Sequence, residues 1–76
     1  MKMYEVKEKL QANESISMDI MRNPADLAEW VVWIREVAGR SFLLCDDSDV
    51  VIATTDVNVI LQLLNNVGVK QVAVVL

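Results

Sequence analysis

The sequence predicts an α/β (α+β) fold: a two-layer sandwich in the order β-β-α-β-β-α-β, with a mixed five-stranded sheet and two helices on one face. Three observations support this prediction. Two early segments alternate apolar and polar side chains, two others lie between helix start and stop signals, and the rest are short apolar runs. No linker or low-complexity tract interrupts the chain, so residues 1–76 are expected to form a single α/β interaction domain.

The first two elements are predicted to form an antiparallel hairpin. Residues 3–10 alternate Glu and Lys with apolar side chains, which is typical of a half-buried strand. Residues 15–21 alternate in the same way, and residues 11–14 supply a plausible turn. Each strand is therefore expected to bury one face and leave the other in solvent.

The third element is predicted to be a helix over residues 24–38. Asn23 can cap it, Pro24 fits its first position, and Gly39 ends it. Apolar residues recur at steps of three and four to form the packing stripe: Leu27, Trp30, Val31, Ile34, Val37 and Ala38. Trp30 is expected in the core. Trp33 lies beside the stripe, where it can anchor a partner.

A second hairpin and a second helix are predicted to follow. Two short apolar runs, residues 41–45 and 50–55, flank an acidic turn. Asp56, or Thr55 before it, can cap a helix that extends to Asn66, and Gly68 supplies a left-handed stop. The final segment, residues 71–76, is rich in Val and is predicted to be a strand.

The second half of the chain is unusually poor in charge. Residues 41–76 contain five charged side chains, while 21 of these 36 residues are apolar. The three strands predicted there are apolar on both faces, so one face would lack cover in a two-layer sandwich. The uncovered side chains are predicted to form an interface of roughly 300–500 Å²: Leu43, Cys45, Val51, Ala53, Ala73 and Val75. A covering loop or terminus is the alternative interpretation.

The acidic turn contains Asp46, Asp47 and Asp49. Carboxylates at short spacing can hold Ca²⁺ or Mg²⁺, but this turn lacks the Gly and the distal Glu of an EF-hand loop. A solvated turn is therefore the favoured interpretation. An acidic contact for a basic protein partner is the other.

The composition indicates no catalytic, cofactor or metal site. The chain contains no His, so the usual base for a nucleophile is missing, and Cys45 is interpreted as a small buried hydrophobe. Both glycines are explained as helix stops, which leaves no Gly-rich phosphate loop. The single cysteine fits a reducing compartment, and we expect a cytoplasmic protein because no apolar run exceeds five residues.

The net charge of −4 limits the class of partner. Affinity for a nucleic-acid backbone comes from Lys and Arg, so direct nucleic-acid binding is not expected. An anionic membrane surface is disfavoured for the same reason. A protein partner is the remaining expectation.

Together these observations predict a small non-catalytic protein-binding domain that occupies a surface on a partner and self-associates as a homodimer. One alternative is an acidic inhibitor of a host defence protein, encoded by a phage or mobile element and mimicking nucleic-acid charge. A more distant alternative is a metal-dependent carboxylate enzyme built around the acidic turn.

Overall fold

The computed structural model describes residues 1–76 and contains two helices and four strands. In chain order these are α1 Met3–Gln11, β1 Ile16–Asn23, β2 Asp26–Glu36, β3 Ser41–Leu43, α2 Val57–Asn66 and β4 Ala73–Val74. The strands form one mixed sheet in the order β3-β2-β1-β4. The predicted α+β class, mixed sheet and two helices are confirmed, whereas the fifth strand and the predicted element order are wrong.

The first predicted strand is helix α1. Val6 is fully buried and Leu10, four residues later, packs against the same core, which is a helical spacing. Glu and Lys make up half of residues 3–10, and both favour a helix over a strand. The Glu5 carboxylate also accepts a hydrogen bond from the Lys2 amide at 3.1 Å, which closes the first turn.

The strand predicted over residues 15–21 is confirmed as β1, but its antiparallel partner is β2. A two-residue turn, Pro24-Ala25, joins the two strands because Asn23 pairs with Asp26. The Asn23 side chain accepts a hydrogen bond from the Ala25 amide at 3.0 Å, so Asn23 stabilises a turn here and does not cap a helix.

The helix predicted over residues 24–38 is wrong, since Asp26–Glu36 form strand β2. Trp30, Val31, Val32 and Ile34 are all buried, and consecutive buried residues point to opposite faces of the sheet. Aromatic and β-branched side chains favour this extended backbone. Trp30 lies in the core as expected.

The acidic turn is present, but residues 50–55 form only isolated bridges and are not a strand of the sheet. The Asp46 amide donates to the Val50 carbonyl at 2.8 Å, and the Ile52 amide donates to the Leu44 carbonyl at 3.0 Å. The second predicted hairpin is therefore shorter than expected.

The helix predicted between Asp56 and Asn66 is confirmed as α2. The Asp56 carboxylate accepts a hydrogen bond from the Asn58 amide at 2.9 Å, which satisfies one of the free donors of the first turn. Gly68 follows the helix with φ of +97°, the left-handed conformation that stops it.

The last predicted strand is reduced to the two residues of β4. It pairs parallel with β1, Ala73 beside Asp19 and Val74 beside Ile20. The Val75 amide extends this pairing by donating to the Ile20 carbonyl at 2.8 Å. β4 therefore forms one edge of the sheet and β3 lies at the other.

One sheet face and the two helices enclose the core. Its buried members come from both helices, from β1 and β2, and from the residue after β3. They are Val6, Met18, Ile20, Trp30, Val32, Ile34, Leu44, Ile60 and Leu64. Both helices therefore pack on the same face of the sheet, which leaves the opposite face without a helical layer.

Candidate functional site

The candidate site is the open face, defined here as the sheet face opposite the two helices. Side chains alternate along a strand, so the core residues Met18 and Ile20 on β1 leave Ser17, Asp19 and Met21 on the open face. The register extends this alternation across the other three strands.

The strand register arranges the open face in three rows of side chains. The first row, the polar row, consists of Ser41, Arg35 and Ser17. The second, the Trp33 row, consists of Leu43, Trp33, Asp19 and Ala73. The apolar row consists of Val31, the Met21 that pairs with it, and Val75, which follows in register on the β4 side. Cys45 lies at the end of this row by alternation from Leu43, but it bridges to Lys2 and Val51 and not to Val31. The face therefore changes from polar at one end of the strands to apolar at the other.

The apolar row is more buried than its position predicts. Val31 is 1% exposed and Cys45 is 8% exposed, although no helix covers this face. Trp33 and Met21, its neighbours along and across the strands, are half-buried around Val31. At the sheet edge, Val75 is 42% exposed. Val31 is therefore the covered centre of a small second apolar cluster, and the larger exposed fractions lie at its margin, on Val51 and Val75.

The predicted interface residues are distributed over both edges of this face. Leu43 and Ala73 occupy opposite ends of the Trp33 row, with β2 and β1 between them. Val51 bridges to Cys45 and is 41% exposed, and Ala53 is half-buried next to Thr54, which bridges to Trp30. The predicted residues share a face, but side chains of β1 and β2 lie between them. They form one contiguous surface only together with those side chains.

Val31 and Met21 join the predicted residues into a surface, but neither is among the residues predicted for the interface. The sequence pattern places Val31 in a helical stripe and Met21 at the end of a hairpin strand, away from the apolar patch. A run of five large apolar residues from Trp30 to Ile34 is itself a signal for a strand buried on both faces.

An ion pair lies between the Trp33 row and the polar row. Arg35 Nη2 is 2.8 Å from Asp19 Oδ2, and the Asp19 side chain is only 17% exposed. This pair fixes two charged side chains over the centre of β1 and β2. It separates the apolar end of the open face from solvent-exposed Ser17 and Ser41.

The acidic turn uses two of its three carboxylates within the fold. Asp46 Oδ1 accepts the amides of Ser48 and Val50 at 2.9 and 3.0 Å, and Asp47 Oδ1 accepts the amide of Tyr4 at 3.2 Å. Asp49 has φ of +68°. The turn is therefore held by its own carboxylates, as Asp-rich turns commonly are.

No group of three or more Cys, Asp or Glu side chains is arranged to hold a metal ion. Cys45 is buried, and its thiol is 3.6 Å from the Leu43 carbonyl, which fits the small hydrophobe expected from the sequence. No buried polar side-chain atom lacks a hydrogen-bond partner, so no unsatisfied group marks a ligand site.

A charged cluster on the helix side joins α1 to the ends of β2 and β3. Lys9 Nζ is 3.5 Å from carboxylate oxygens of both Glu14 and Glu36, and Arg40 pairs with Glu36 at 3.3 Å. Desolvation lowers the pKa of Lys9, but the two carboxylates outweigh it, so the pKa is raised above 10.5. The cluster stabilises the fold and does not contribute to the open face.

Comparison of the chain with protein-family models, curated proteins and solved structures found no match. Neither helix has the length and apolar content needed to cross a bilayer. The function therefore has to be inferred from the geometry of the open face.

Proposed function

We propose that this chain is a non-catalytic protein-binding domain that acts by occupying a surface on a partner protein, and that it self-associates. The observation that carries the proposal is the second apolar cluster on the open face. Val31 is buried there, while Val51 and Val75 beside it remain about two-fifths exposed. Apolar surface that the fold does not cover is typical of a protein contact site.

The residue types of the open face support a protein partner. Trp33 and Met21 belong to the classes that are enriched at interfaces, and both are half-buried, so they offer contact area from fixed positions. The Asp19–Arg35 ion pair gives the same surface a polar border. An apolar centre with a polar rim is the usual anatomy of a protein–protein interface.

The partner is expected to present an apolar patch bordered by Lys or Arg. Asp47 and Asp49 are exposed, and their turn is connected through Val50 to Val51 at the apolar end of the open face. The whole chain carries a net charge of −4. Complementary basic residues would accelerate association and select against acidic partners.

Capture from the source cell with matched variants tests this proposal. The bait proteins are the wild type, Val51→Lys on the open face, and Leu61→Lys on the outer side of α2, where Leu61 is 37% exposed. We expect a protein that binds the wild type and Leu61→Lys but not Val51→Lys. The captured protein is then purified, and its affinity for the three baits is measured by calorimetry. Equal affinity for all three would overturn the proposed site.

The two alternative functions receive no support from specific contacts. Nucleic-acid mimicry requires unpaired carboxylates along one side, but Glu14, Asp19 and Glu36 form ion pairs with Lys or Arg. A metal enzyme requires converging carboxylates, and those of Asp46 and Asp47 bind different backbone amides. A cytoplasmic location remains part of the proposal and is based on the free thiol of Cys45.

A further inference from the structure

The exposed edge of β4 has unpaired backbone groups. The Val75 amide donates to Ile20 of β1, and backbone groups alternate in direction along a strand. The N–H and C=O groups of Val72, Val74 and Leu76 therefore point away from the sheet. β4 is the last strand on its side of the sheet order, so no strand of the same chain can pair with them.

This edge also lacks the side chains that usually protect an edge strand. Residues 71–76 contain no charge and no proline, and Val74 is 43% exposed while Leu76 is fully exposed. Native proteins commonly place Lys, Pro or a bulge on such an edge to prevent pairing with another chain. An apolar edge with free donors and acceptors is a template for strand addition.

We infer that a second copy of this chain pairs with β4 in antiparallel orientation and joins two four-stranded sheets into one. The inference rests on the proposed self-association and identifies the element that carries it. Two identical strands related by a two-fold axis normal to the sheet match donors to acceptors automatically. With Val74 at the centre, its N–H donates to the C=O of Val74 in the other copy, and its C=O accepts from that residue's N–H.

The charge distribution favours a second copy as the occupant. Each chain carries a net charge of −4, so most approaches between two copies bring carboxylates together. Residues 57–76 contain no Asp or Glu, and Lys70 is their one charged side chain. Contact through β4 is therefore an arrangement in which two acidic copies meet without opposed Asp or Glu side chains.

Pairing at β4 would also extend the open face. A two-fold axis normal to the sheet keeps both open faces on the same side, and Val75 of one copy then lies opposite Ala73 of the other. The apolar row of one copy would continue into the Trp33 row of its partner. Because one edge strand buries a small area, we expect a dissociation constant on the order of 10–100 μM.

Two measurements at about 20 μM and about 1 mM test this inference. Sedimentation gives the oligomeric state, and NMR gives the exchange rate of each amide hydrogen. We expect mostly dimer at the higher concentration, with exchange of the Val74 amide slowed about four- to sixfold as the monomer fraction falls. The Val75 amide is the internal control, since its bond to Ile20 protects it at both concentrations. Val74→Pro removes the outward N–H, leaves the Val75 amide free to bond Ile20, and should give a folded monomer.

Two results would overturn the inference: a monomer at about 1 mM, or a dimer in which the Val74 amide exchanges at the same rate as at about 20 μM. The second result would assign self-association to another surface. Neither result affects the Val51→Lys comparison. A monomer that still binds a partner through the open face would leave the proposed binding function intact and remove only the β4 contact.

Discussion

Arg35 Nη2 lies 2.8 Å from Asp19 Oδ2 diagonally across the β1–β2 ladder, since Arg35 is two residues along β2 from Trp33, the direct partner of Asp19. The pair sits on the open face, where no helix covers it. Asp19 is 17% exposed and Arg35 is 56% exposed, so solvent still screens their attraction. The geometry is good, but the contribution to stability is expected to be small.

A double-mutant cycle should give a coupling free energy of about 0.2–1 kcal/mol between Asp19 and Arg35. The cycle uses Asp19→Asn, Arg35→Gln and the double variant, each unfolded in urea. Added salt should reduce the coupling because the Arg35 side chain is exposed. A coupling that does not change between low and high salt would contradict this description of the pair.

Leu64→Ala should lower the free energy of unfolding by about 2–5 kcal/mol, since Leu64 is 1% exposed and its truncation leaves a cavity. Leu61→Ala is the matched control on the same helix. Leu61 is 37% exposed, so the same substitution should cost less than about 1 kcal/mol. Chemical denaturation measures both. Equal losses would mean that α2 is rotated from the orientation described.

Asp56→Ala should destabilise the protein by about 0.5–2 kcal/mol because it removes the hydrogen bond to the Asn58 amide at the start of α2. Asp56→Asn retains an acceptor oxygen and should cost much less. The two melting temperatures provide the test. If both variants lost the same stability, Asp56 would stabilise the helix through its negative charge and not through the capping hydrogen bond.

Stability at high pH should depend on Lys9. Its pKa is raised by Glu14 and Glu36, so the folded state holds the proton more tightly than the unfolded state. The stabilisation is present below the ordinary pKa of 10.5 and is lost as the pH rises through the raised value. We expect the difference in melting temperature between wild type and Lys9→Gln to shrink above that pH. A difference that grew with pH would contradict the ion pairs.

Some elements were predictable because local chemistry alone specifies them. The alternation of β1 is visible in the sequence because one face of the strand is polar. Ser17 and Asp19 lie on that face, and Met18 and Ile20 lie on the other. Helix α2 begins at a capping Asp56 and ends before a left-handed Gly68, two signals that tertiary contacts did not override. Each of these elements has one clear period and its own boundaries.

Strand β2 was mistaken for a helix because a strand buried on both faces has no alternation. Trp30, Val31 and Ile34 then match a helical stripe as well as they match two strand faces. Residues 3–10 are a helix that was predicted as a strand. Over so short a segment, the spacing of Val6 and Leu10 fits both the two-residue period of a strand and the 3.6-residue period of a helix. Packing against the rest of the chain decided the conformation of β2, whereas the helix preference of Glu and Lys also favoured α1.

The candidate site was predictable in kind but not in arrangement. The charge-poor second half indicated Leu43, Val51 and Val75 as interface residues, and all three lie on or beside the open face. The strand order, which places β3 and β4 at opposite edges, could not be read from local patterns. The centre of the face therefore comes from β2, the element that the sequence pattern predicts to be a helix.

The pairing of β4 with β1 also has a consequence for the order of folding. Asp19 and Ala73 lie roughly fifty residues apart, whereas a two-residue turn joins β1 to β2. Closing the longer loop costs more chain entropy, so the β1–β2 hairpin should form in the transition state and β4 should dock after it. Substitutions in β4 would then accelerate unfolding and leave the folding rate nearly unchanged.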